Sequence, residues 1–81
     1  MKTIWKFNVE PGEFDFFAPA PKVRKFGLDP LGHLCLWAEV NTMSSDRLVR
    51  YCIIGTGHPL PGDMEYFGSV TQGDYVWHLY L

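Results

Sequence analysis

Eighty-one residues leave room for one core, so a single domain over residues 1–81 is expected. A chain this short buries only about 60% of the surface it exposes when unfolded, and such domains often borrow stability from a second copy. A formal net charge of −2 excludes the broad basic face that nonspecific binding to duplex nucleic acid needs, and no apolar run is long enough to span a bilayer.

The chain is read with a period of two throughout. Thr3, Trp5, Phe7 and Val9 alternate with Ile4, Lys6 and Asn8, which predicts a first strand that Pro11-Gly12 ends. Glu13 to Phe17 reads as a short second strand, closed by Ala18-Pro19-Ala20-Pro21, which blocks both a helix and a central strand position. Lys22 to Leu28 is a third strand with basic side chains on both faces: Arg24 shares one with Phe26 and Leu28, Lys25 the other with Val23. A turn at Asp29-Pro30-Leu31-Gly32 joins it to His33–Val40 in a predicted hairpin. In that inner strand Leu34, Leu36, Ala38 and Val40 oppose Cys35, Trp37 and Glu39.

After a polar loop, Arg47 to Gly55 sets Val49, Tyr51 and Ile53 against Leu48, Arg50, Cys52 and Ile54. The Gly55–Asp63 loop follows, with one helical turn conceivable at Pro59–Asp63. Met64–Thr71 and Tyr75–Leu81 form a closing hairpin around Gln72-Gly73-Asp74. Both faces of the last strand are apolar or aromatic, which places it centrally or at a subunit contact. The fold class is therefore all-β: a small antiparallel sandwich or partly open barrel of six to seven short strands, without substantial helix.

Cys35 and Cys52 sit inside apolar strands, where a free thiol behaves as a small hydrophobe. The opening Met1-Lys2-Thr3-Ile4-Trp5-Lys6 lacks the apolar core of a secretory signal. A reducing cytoplasm is the expected compartment.

The run Ile53-Ile54-Gly55-Thr56-Gly57-His58-Pro59-Leu60-Pro61 joins a strand to a Gly- and Pro-rich loop. Successive N–H groups in such a turn form an anion-binding concavity, and Thr56 and His58 add donors. It is neither a P-loop nor a dinucleotide fingerprint, since no helix opens there. The candidate ligand site is Gly55, Thr56, Gly57 and His58 as phosphate donors, Arg50 as charge, and Tyr51 or Trp77 as a stacking face. The alternative is an ordinary structural turn that His58 caps.

His33, His58 and His78 are the only histidines, and no short ligand spacing links them, so no metal site is expected. His78 is expected to make a core hydrogen bond. Ser44, Ser45 and Ser69 lack a nucleophile-elbow context, and no acid, base and orienter assemble into an enzyme site. No cofactor is implied.

Three pieces of the chain, taken together, resemble a widespread family of short, uncharacterised phage and prophage proteins. They are the opening Met1–Lys6, the middle Leu34-Cys35-Leu36-Trp37-Ala38-Glu39-Val40, and the ending Gly55-Thr56-Gly57-His58-Pro59 with Tyr66–Val70 and Val76-Trp77-His78. The stretch Glu13–Pro21 departs from that pattern. The resemblance implies a setting, the host cytoplasm, and a non-enzymatic binding role. One form is a homo-oligomer that sequesters a cyclic oligonucleotide immune signal. Another is a protein–protein inhibitor of a host defence complex, and a third is a phage accessory protein.

Overall fold

Alternating side chains specify strands almost everywhere, and the computed structural model, which describes residues 1–81, contains seven of them and no helix. They are β1 (Lys2–Asn8), β2 (Gly12–Pro19), β3 (Lys22–Leu28), β4 (Leu34–Asn41), β5 (Asp46–Gly55), β6 (Tyr66–Gln72) and β7 (Tyr75–Tyr80). A three-stranded sheet has the order β1-β4-β3, and a four-stranded sheet the order β2-β5-β7-β6. All pairings are antiparallel. The two sheets stack as a sandwich and do not close into a barrel.

The core lies between the sheets. Leu36 of β4 meets Tyr51 and Ile53 of β5 and Leu79 of β7, with Phe16, Val23, Phe26 and Trp77 packed around them. The rings of Phe7 and Phe16 stack across the gap with centroids 4.4 Å apart. Both predicted hairpins form, β3–β4 and β6–β7, and β7 is central as its two apolar faces require. Pro59–Asp63 holds turns rather than a helix.

Two details depart from the simple alternation. β2 runs on through Ala18 and Pro19, both buried, because it is an edge strand and a missing N–H on its open side breaks no ladder bond. Ala20 then turns the chain into β3 with φ 44°, a left-handed conformation that costs a non-glycine residue about 1–2 kcal/mol. In β3 the register against β4 shifts between Val23 and Lys25, leaving Arg24 as a bulge. The bulge turns Val23 and Phe26 to the same inner face, whereas unbroken alternation sets them on opposite faces. Arg24, freed from the ladder, donates to Glu39 at 3.0 Å, and Lys25 lies 4.9 Å over the Trp37 ring.

The β3–β4 turn is built on Asp29, which is buried. Its carboxylate accepts from the backbone N–H of His33 at 2.9 Å and of Leu31 at 3.0 Å, and from Lys6 Nζ at 3.1 Å. Those donors, the His33 N–H foremost, hold the carboxyl well below the usual carboxylate range. Cys35 and Cys52 are free and buried on the outward faces of different sheets, and burial pushes both thiols up.

Candidate functional site

β5 ends in a tight turn. His58 donates its backbone N–H to the Gly55 carbonyl at 3.2 Å, and Gly57 sits at the third turn position with φ 93°, where a side chain is strained. The turn folds the His58 ring back over Gly55. A methyl group at Gly55 would lie 3.4 Å from His58 Cδ2 and 3.5 Å from Trp77 Cζ3, ordinary contact distances, so the two rings converge over this residue. β7 places Trp77 opposite Gly55 in the ladder, and Tyr75, two residues away on the same face, stacks on it at 5.4 Å and 16°.

Gly55, Thr56, His58, Asp74, Tyr75 and Trp77 line an open groove of about 450 Å³. On the other side of His58, a second concavity of about 420 Å³ is bounded by Pro11, Gly12 and Ile53. Trp77 is fixed from behind: its indole Nε1–H donates to Gln72 at 3.0 Å, and Gln72 donates to the Gly32 carbonyl of the β3–β4 turn at 2.9 Å. Tyr75 is 64% exposed and presents its free ring face to solvent. The groove therefore offers an aromatic platform, a hydroxyl and imidazole on one side, and a carboxylate at Asp74.

The structure brings together five of the residues that the sequence marks: Gly55, Thr56, Gly57, His58 and Trp77. It separates the other two. Tyr51 is 5% exposed and packs against Phe14 and Phe16, so its ring has no face for a ligand. Arg50 points to the opposite face of β5, where it donates to Glu13 at 2.8 Å and lies 3.7 Å from Asp63. Neighbours in a strand face opposite sides, so Arg50 and Tyr51 serve no common site. The ring that joins Trp77 is instead Tyr75, and its i, i+2 spacing from Trp77 is the sequence signal for the pair.

His78 carries a second constellation, on the outer face of the four-stranded sheet rather than in the core. Ser69, its cross-strand partner, lies 2.6 Å from Nδ1, Thr56 lies 2.9 Å from Nε2, and Tyr66 is 2.6 Å from Ser69. Either neutral tautomer satisfies the whole chain, each running it in the opposite direction. The far nitrogen of His78 meets the Thr56 hydroxyl, not a carboxylate. The chain of bonds instead ties Thr56, and with it the turn, to β6 and β7. His33 contacts Asp29 and His58 covers Gly55, so the three histidines occupy separate places.

An antiparallel β-sandwich with an aromatic groove at one end defines a small all-β domain. The family model for a domain of unknown function, DUF7352, matches residues 1–81, and the chain belongs to that family. Comparison with curated proteins and with solved structures found no match.

Proposed function

We propose that this protein binds a nucleotide-type ligand in the groove beside the Gly55–His58 turn and holds it intact. The stacked Tyr75–Trp77 pair carries this reading, because an exposed ring backed by a second ring is a platform for a nucleobase. Stacking of this kind contributes about 1–3 kcal/mol per base. Thr56, His58 and the Gly57 backbone supply donors for a phosphate. Asp74 repels a phosphate and accepts from base amino or ribose hydroxyl groups, so it orients the ligand. In the setting that the phage and prophage resemblance implies, such a protein acts in the host cytoplasm against host defence. It sequesters a cyclic oligonucleotide signal as a homo-oligomer, without cleaving it.

Thermal unfolding against a panel of cyclic di- and trinucleotides tests this. Ligand at a hundred times its Kd adds about 2.7 kcal/mol, which raises the midpoint of a domain this size by about 10–20 °C. Tyr75→Ala, at an exposed position, abolishes the rise while leaving the ligand-free midpoint within a few degrees of the wild type. The ligand recovered after denaturation is intact. No shift across the panel, or cleaved ligand, contradicts the proposal.

A second reading, inhibition of a host defence protein by direct contact, is favoured by one observation. Phe17 and Leu48 pair across β2 and β5 on the outer face and are 64% and 48% exposed. Under that reading Phe17→Glu, not Tyr75→Ala, removes the effect on the partner.

A further inference from the structure

Seven lysines and arginines are present, and three of them face a carboxylate: Lys6 with Asp29, Arg24 with Glu39, and Arg50 with Glu13 and Asp63. The four without a carboxylate partner are Lys2, Lys22, Lys25 and Arg47. Lys25 lies over Trp37. The other three line one concavity of about 330 Å³. They reach it from three strands of both sheets, Lys2 from β1, Lys22 from β3 and Arg47 from β5. Unscreened like charges repel, and in a protein of net charge −2 they have carboxylates to spare elsewhere.

The rest of the concavity fits an anion. Glu39 is the one carboxylate on its wall, and Arg24 holds it at 3.0 Å. Asn41 also lines it; its Oδ1 accepts from the Met43 N–H at 3.1 Å, which fixes the amide and leaves the NH2 end free to donate. The wall includes Ala20, held at φ 44° between Pro19 and Pro21. That left-handed turn carries the chain from the four-stranded sheet to the three-stranded one, bringing Lys22 to the same end as Arg47. Strain in a non-glycine residue persists where the surroundings over-determine it, and it clusters at binding sites.

We propose that Lys2, Lys22 and Arg47 form a binding site for a phosphoryl group, with the Arg47 guanidinium supplying paired N–H donors and the two lysines point charges. This site stands apart from the aromatic groove. Arg47 and Gly55 lie at opposite ends of β5, about 27 Å apart at strand rise, so one mononucleotide does not reach both. The concavity reads charge and shape, and it has no ring to stack a base.

Calorimetric titration with inorganic pyrophosphate at low salt tests the site. The wild-type protein binds, with an affinity that weakens as salt is added. Lys22→Ala and Arg47→Ala each weaken binding about tenfold, as expected for one charge-assisted contact. Lys25→Ala, which removes an equal charge outside the concavity, and Tyr75→Ala, in the aromatic groove, keep wild-type affinity. Parallel titrations with inorganic phosphate and with a nucleoside monophosphate separate the sources. On Tyr75→Ala protein, which lacks the aromatic platform, equal affinity assigns the site to the phosphoryl group alone, and tighter nucleotide binding assigns it to a phosphorylated nucleoside. Absence of binding, or an equal loss from Lys25→Ala, overturns the proposal, because the effect would then be none or diffuse charge. Loss of pyrophosphate binding leaves the base-stacking groove untouched, so the two sites fail separately.

Discussion

At the scale of single residues, Asp29 does the most with the least exposure. Its carboxylate accepts from two backbone N–H groups and one lysine, and these donors favour the charged form. Its folded pKa is therefore depressed. Stability from this group is fully present above the unfolded value of about 3.9 and drains away as pH falls below it toward the lower folded value. Urea denaturation between pH 7 and pH 2 is expected to show that acid loss in the wild type. Asp29→Asn is less stable at pH 7 and has a flatter profile below about pH 4. An unchanged acid slope in the variant removes Asp29 from the explanation. The two thiols carry the opposite sign. Burial raises their pKa values, so their contribution holds below about pH 8.5 and is lost at more alkaline pH.

At the scale of elements, the bulge in β3 decides which side chains reach the core. Val23 and Phe26 are three residues apart, a spacing that a regular strand cannot place on one face. The bulge at Arg24 absorbs the extra residue, and both side chains pack on the central cluster. Deleting Arg24 is therefore expected to leave a regular ladder in the same register, with Val23 and Phe26 still inward. Circular dichroism and the thermal midpoint should stay close to those of the wild type, with only the exposed Arg24–Glu39 pair lost, worth about 0–1 kcal/mol. Collapse of the fold on that deletion contradicts this role for the bulge. The strands and both hairpins were legible in the sequence because alternation and turn residues are local signals. The faces of β3 were not, because a bulge is set by the partner strand, although the Val23–Phe26 spacing hinted at it. The same limit split the candidate site. The turn residues and Trp77 were legible together, but the order β5-β7-β6 sets which side chains meet across strands. That order joins Tyr75 and Asp74 to the groove, links His78 to Ser69, and leaves Tyr51 in the core.

At the scale of the whole molecule, only 13 of 81 residues are buried, and the molecule is thin, 40 × 31 × 15 Å. A core of this size supports a marginal monomer, since small domains bury a lower fraction of their surface. Phe17, Leu48, Tyr66 and Val76 are exposed on the four-stranded sheet. Homo-oligomerisation, which we propose, removes part of that surface from water. Sedimentation analysis is expected to give a species heavier than one chain, shifted toward the monomer by Phe17→Glu with Leu48→Glu. A wild-type monomer at all concentrations contradicts it. The most direct measurement of the groove as a ligand site is a two-dimensional NMR titration with a cyclic dinucleotide. The indole N–H of Trp77 and the amides of Thr56, Gly57, His58 and Tyr75 should shift together and saturate, while the amides of β1 stay in place. Shifts that avoid those residues, or no shifts at all, would contradict a nucleotide site in the aromatic groove.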